Sequence, residues 1–144
     1  MSFEEKSTWI YGLITAVIPT VYFATMLGQI RERTAAEIDY VGPMLAAIGI
    51  GIAATIVGTI LVAIGSAIVS GDEDADRSDE RDKNINRFGD YWAYYVLSIG
   101  VAGALILTFV QAEHFWIANA IYLAFVVASL TSVTLKLFAY RRGF

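Results

Sequence analysis

The stretch Gly71–Tyr95 reads GDEDADRSDERDKNINRFGDYWAYY and separates two long apolar segments. From Gly71 to Asp90 it holds eight acidic and four basic residues, so its net charge of −4 equals the formal charge of the whole chain. A charged side chain at the centre of a bilayer costs about 2.5 kcal/mol or more. The stretch is therefore expected in water, and it divides the chain into two hydrophobic halves.

Composition points to a small integral membrane protein. The chain has 144 residues, of which 57% are hydrophobic and only 17% charged, and its mean hydropathy is +0.59. Soluble domains are rarely so apolar. The absence of cysteine excludes disulfides and thiol catalysis. The acidic pI of about 4.8 argues against binding to nucleic acid, because phosphate binding needs basic clusters.

Apolar runs predict an all-α fold in which a single domain, residues 1–144, forms an antiparallel bundle of four transmembrane helices. About 20 helical residues cross a hydrocarbon core of about 30 Å. The predicted spans cover about residues 8–30, 41–70, 91–110 and 115–138, and a charged loop covers residues 71–90. The bilayer is thus the first expected partner.

Small residues recur at positions that favour close helix packing. Gly51, Gly58 and Gly65 repeat every seven residues in the second span, and Gly100-x-x-x-Ala104 lies in the third. Small residues on one face let another helix approach closely in lipid. The neighbouring helix belongs either to the same chain or to a second copy, and we expect a homo-oligomer.

Lysine and arginine counts predict the orientation. Eight of the ten basic residues lie in the N-terminal tail, in the 71–90 loop and near the C-terminus, whereas the opposite side carries only Arg31 and Arg33. Basic residues accumulate on the cytoplasmic side of membrane proteins. We therefore expect a multi-pass protein of the cell membrane, with both termini and the loop in the cytoplasm.

The loop contains a predicted surface helix over Ser78–Arg87. Ile85, Phe88 and Trp92 form an apolar stripe at helical spacing, and Gly89 is expected to turn this helix into the third span. The charged residues would form a docking face for a cytoplasmic partner, or else a face that is only solvated. These predicted partner-binding residues are Asp79, Glu80, Arg81, Asp82, Lys83 and Arg87.

No constellation in the sequence predicts catalysis, a cofactor or a metal. The single histidine, His114, follows Glu113 directly, and neighbouring helical residues point about 100° apart. Asp72, Asp74 and Asp76 begin like a calcium loop, but its sixth position is Arg77 instead of glycine. We therefore expect neither an enzyme nor a metal site. Ionisable groups deep in the spans, which a pump needs, are also missing from the sequence.

Two motifs carry a resemblance. Asp79-Glu80-Arg81-Asp82 and Tyr94-Tyr95-Val96-Leu97 resemble a family of small prokaryotic membrane proteins of unknown function. That family combines an acidic cytoplasmic loop with an aromatic span, and its members can occur beside helix-turn-helix regulators. The resemblance implies a non-enzymatic interaction or regulatory protein and supplies no catalytic residues. The alternative is a subunit of an oligomeric ion channel or small transporter.

Overall fold

The computed structural model describes residues 3–70 and 80–142, which form four long α-helices and one short 3-10 helix. Their bounds are α1 Phe3–Ile30, the 3-10 helix Ala35–Glu37, α2 Val41–Ser70, α3 Glu80–Phe109 and α4 His114–Arg142. All four α-helices are long and apolar enough to cross a membrane. The predicted all-α class and the four candidate membrane helices are thereby confirmed.

The third helix differs from its prediction. It begins at Glu80 and continues without a break to Phe109, so the expected turn at Gly89 is wrong. Gly89 serves close packing instead. A Cβ atom there would lie 2.7 Å from Cγ of Lys136 and 3.0 Å from the carbonyl oxygen of Ser132. The missing side chain lets α3 approach α4 at this level, and the helix needs no bend.

The four helices follow the spatial order α2, α1, α4, α3. α1 and α4 are in contact in the middle, α2 packs on α1, and α3 packs on α4 along most of its length. Over the described residues, α2 and α3 make little or no contact. The bundle is therefore open on that side. α2 is apolar on all sides, so its sequence does not select a second neighbour.

The ends of the bundle are held differently. At the end that carries Phe3 and Arg142, here called the terminal end, polar side chains join the helices. At the opposite end, here called the loop end, Ile38 from the 31–40 connection enters an apolar cluster. The other buried members of that cluster are Tyr22, Met26, Ala47 and Phe115. The Tyr22 hydroxyl also donates a hydrogen bond of 2.9 Å to Oδ1 of Asn119 inside the bundle.

The predicted packing residues fall into two groups. A Cβ atom on Gly58 would lie 2.6 Å from Cγ2 of Ile10 on α1, and one on Gly100 would collide with Ala124 on α4. Ala104 is buried in the same α3–α4 contact face. Gly51 and Gly65, by contrast, have open space where a Cβ would stand. A close helix contact within the chain therefore does not require glycine at either position.

A close contact that the sequence did not single out lies at Gly12. A Cβ atom there would lie 2.6 Å from Cγ1 of Val133, so α1 and α4 approach closely near the terminal end. Small residues thus bring each adjacent pair of helices together: Gly58 joins α2 to α1, Gly12 joins α1 to α4, and Gly100 joins α4 to α3.

Candidate docking surface at the terminal end

Residues 80–90, here called the α3 extension, continue α3 beyond its apolar part. Ile85 is completely buried and Asp82 is 5% exposed, although the segment is strongly charged. Asp82, Ile85 and Gly89 occur at spacings of three and four, so they lie on one helix face. The same stripe continues into the apolar part through Ala104. The extension is consequently packed against the bundle, not lying free on a membrane surface.

Polar contacts fix the α3 extension to both central helices. Nδ2 of Asn86 donates to Oε2 of Glu4 on α1 at 3.2 Å. Nη2 of Arg81 lies 3.5 Å from the backbone carbonyl of Tyr140 on α4. Together with the burial of Ile85, these contacts hold the orientation of the extension relative to the rest of the chain.

The structure divides the predicted partner-binding residues. Glu80, Arg81, Lys83 and Arg87 are exposed, whereas Asp82 is buried. Asp82 departs from the expected exposed face because it precedes Ile85 by three residues and so shares its inward direction. Asp79 and the acidic residues before it lie outside the described residues. The described exposed face is thus richer in basic than in acidic side chains.

Aromatic side chains follow the exposed basic residues along α3. Tyr91, Trp92, Tyr94 and Tyr95 all point outward, and the hydroxyls of Tyr91 and Tyr95 are 3.2 Å apart. Such a cluster is typical of a membrane–water interface. The expected stripe Ile85, Phe88 and Trp92 is divided, because Ile85 is buried while Trp92 is exposed.

The end of α4 adds two further cations to the terminal end. The guanidinium carbon of Arg141 lies 5.6 Å from the centroid of the Trp9 ring, and that of Arg142 lies 4.5 Å from the Phe138 ring. Stacking of this kind contributes about 0.5–1 kcal/mol at exposed sites. Both arginines are exposed, so they extend the basic character of the terminal end.

Sequence reasoning missed an ion pair at the start of the apolar part of α3. Nζ of Lys136 on α4 lies 2.8 Å from Oδ1 of Asp90, and the Ser132 hydroxyl donates to the same oxygen at 3.0 Å. One signal could have revealed this pair. Asp90 and Lys136 lie at similar distances in sequence from the short turn between α3 and α4, so an antiparallel hairpin brings them opposite each other.

Within the described ranges 3–70 and 80–142, no three histidine, aspartate or glutamate side chains come together to hold a metal ion. His114 is exposed at the first residue of α4. Comparison of the chain with protein-family models, curated proteins and solved structures found no match. The resemblance to a family of small prokaryotic membrane proteins therefore stays a prediction.

Proposed function

We propose that the chain is a non-enzymatic membrane protein that spans the cell membrane through α1–α4 and docks a cytoplasmic protein on its α3 extension. The observation that carries this proposal is the complete burial of Ile85 within a highly charged segment. A flexible tether between two spans needs no anchored helix. An anchored helix keeps exposed charges in fixed positions, which is what a specific protein contact requires.

The chemistry of the exposed side chains indicates the kind of partner. Lys83 and Arg87 lie one helical turn apart on the side opposite to Ile85, and Arg81 lies near the exposed end of α4. Arginine binds carboxylates in a bidentate geometry. We propose a partner with an acidic surface for the described face. Asp79, with the acidic residues before it, would add a docking element of opposite charge.

The proposed orientation places both termini and the α3 extension in the cytoplasm. It rests on the excess of lysine and arginine at this end of the chain over the loop end. The exposed aromatic residues that follow the α3 extension support a membrane–water boundary at this end of the bundle, since tyrosine and tryptophan concentrate at membrane interfaces.

Photo-crosslinking in living cells tests the docking proposal. A photoreactive amino acid at Asn84, which is exposed on the extension, should form a covalent adduct with one cytoplasmic protein. The double variant Lys83→Glu, Arg87→Glu should lose that adduct while its thermal stability stays close to that of the wild type, because exposed charges contribute about 0–1 kcal/mol.

The matched control reverses two exposed arginines at the other end. Arg31→Glu with Arg33→Glu changes the same amount of charge and should leave the adduct at Asn84 intact. If both double variants keep the adduct, the α3 extension does not dock a partner through its charges, and the function must lie in the spans.

The alternative function, a subunit of an oligomeric channel or small transporter, draws on the open side of the bundle. α2 packs on α1 but makes little or no contact with α3, so part of its surface is free to meet a second copy. That surface is formed by apolar residues such as Leu45, Ile60 and Ile64. Because an apolar wall offers an ion no ligands, we place this function second. We propose a homo-oligomer for either function, and flux of ions into protein-containing liposomes distinguishes the two.

A further inference from the structure

An apolar groove runs between α2 and α4 with α1 as its floor. Its volume is about 530 Å³. Pro19 and Ala47 are buried at the bottom, whereas Ile52 on one rim and Phe125 on the other are exposed. The groove therefore opens sideways from the bundle. It runs along the helices from Ala47, which also belongs to the loop-end cluster, to Tyr11.

Three of the hydroxyl groups that line this groove already have hydrogen-bond partners within the protein. The Tyr11 hydroxyl donates to Oγ of Ser129 at 3.1 Å, and Oγ1 of Thr55 donates to the backbone carbonyl of Gly51 at 2.8 Å. The remaining walls are largely isoleucine, valine and aromatic side chains. A buried water needs two to four polar partners, so this groove suits an apolar occupant better than water.

The geometry points to the acyl chain of a membrane phospholipid as the occupant of this groove. The inference rests on the membrane embedding proposed above and not on docking by the α3 extension. In a bilayer, the mouth of the groove opens onto hydrocarbon, and an unfilled void would lose dispersion contacts along its whole lining.

Packing chemistry favours a lipid chain over a helix from a second copy. Helices associate closely in membranes where both surfaces present small residues. Here the rims carry Ile48, Ile52, Ile56 and Phe125, which hold a helix backbone away from the floor. A single flexible hydrocarbon chain can pass between such side chains and reach Pro19.

Two glycines on α2 supply a matched pair of variants. Gly51 lines the groove and Gly65 does not, and a Cβ atom at either position meets no atom within 4 Å. Gly51→Leu should therefore fill the groove without disturbing α1, while Gly65→Leu adds the same side chain elsewhere on the helix. Native mass spectrometry of protein released from phosphatidylglycerol nanodiscs should show one bound phospholipid fewer for Gly51→Leu than for the wild type or Gly65→Leu.

Equal lipid counts in all three proteins would overturn the inference. A loss of dimer instead of lipid in Gly51→Leu would overturn it as well, and would assign the groove to a second copy. A retained apolar molecule other than phospholipid would equally contradict it.

Quenching by phospholipid with brominated chains gives a second measurement. In a chain whose native tryptophans are replaced by phenylalanine, Phe125→Trp reports the groove and Ile99→Trp reports the general lipid surface. The two positions lie at similar depth, about 16 Å and about 15 Å along their helices from the loop end. Quenching of the tryptophan at position 125 should saturate at a lower fraction of brominated lipid than quenching of the tryptophan at position 99. Gly51→Leu should abolish this difference between the two positions.

The control position separates the two proposals. If neither tryptophan is quenched, the helices are not embedded and the membrane assignment itself fails. If both are quenched in parallel, the protein is embedded but the groove holds no lipid of its own.

Discussion

Asp90 on α3 and Lys136 on α4 form an ion pair in which Oδ1 and Nζ are 2.8 Å apart. The Lys136 side chain is only 16% exposed, whereas that of Asp90 is 66% exposed. Asp90 lies about 29 Å along α3 from Phe109, close to the thickness of a hydrocarbon core. In the proposed membrane orientation, the pair thus stands where the apolar part of the bundle ends on the terminal side.

Loss of this pair should weaken the α3–α4 contact. We expect Asp90→Asn to lower the free energy of unfolding by about 0.5–1 kcal/mol, because asparagine keeps a hydrogen-bond acceptor and only the charge of a largely exposed acid is lost. Thermal unfolding in detergent, followed by circular dichroism, measures the effect. Glu80→Gln, which neutralises an exposed acid on the same helix, is the control. Equal behaviour of the two variants would show that the pair contributes nothing.

A second prediction concerns two glycines on α3. Gly100→Ala should destabilise the protein by about 1–3 kcal/mol, because its Cβ would collide with Ala124 and lie 3.2 Å from a backbone atom that cannot rotate away. Gly103→Ala meets open space and should be neutral, or stabilising by up to about 1 kcal/mol through helix propensity. The order of the two melting temperatures checks this prediction, and the reverse order would contradict the register between α3 and α4.

The α1–α2 contact gives a third prediction. Gly58→Leu should push α2 away from Ile10 and reduce thermal stability, whereas Gly65→Leu on the same helix should not. Both variants add the same apolar side chain, so a difference between them reports packing and not hydrophobicity. If Gly58→Leu were tolerated as well as Gly65→Leu, α2 would not pack on α1 through this face.

Orientation in the membrane is the fourth prediction. The chain contains no cysteine, so single cysteines can be labelled without background. A cysteine replacing the exposed Asn84 should react with a membrane-impermeant maleimide only from the cytoplasmic side, and one replacing the exposed Ala36 only from the opposite side. The inverse labelling would overturn the orientation inferred from basic residues.

The buried acid of the α3 extension supplies the fifth prediction. Asp82→Lys should destabilise the protein by about 3 kcal/mol or more, since it reverses a buried charge. Glu80→Lys makes the same change at an exposed position and should stay within about 0.5 kcal/mol of the wild type. Chemical unfolding of both variants measures the difference. An equal, small effect would show that Asp82 is not enclosed in the folded protein.

The four long apolar helices could be predicted because bilayer thickness fixes how many apolar residues a span needs. The neighbour of each helix could not be predicted. Where nearly every residue is apolar, hydrophobic periodicity does not distinguish a face toward lipid from a face toward another helix. Gly58 and Gly65 belong to one sequence stripe, yet only a Cβ atom on Gly58 would meet α1. Near Gly65 the contact with α1 is made by Ser66 instead, which is buried and accepts a hydrogen bond from Nζ of Lys6.

The α3 extension shows a second limit of sequence reasoning. Its many charges predicted a separate surface helix and exposed acids. The apolar stripe through Ile85 instead continues the packing face of the third span, so the extension is part of the bundle and Asp82 is enclosed. The helical spacing of Asp82, Ile85 and Gly89 already indicated this packing face in the sequence. The prediction relied instead on the high charge of the segment.

The unbroken course of α3 has a mechanical consequence. Thirty residues form a rod of about 44 Å, and the close contact of Gly89 with Lys136 leaves no joint where the charged and apolar parts meet. Any force that turns or pulls the charged end must move Phe109 at the far end as well. α3 is thus a rigid connection between the two ends of the molecule, and α4 lies against it along most of its length.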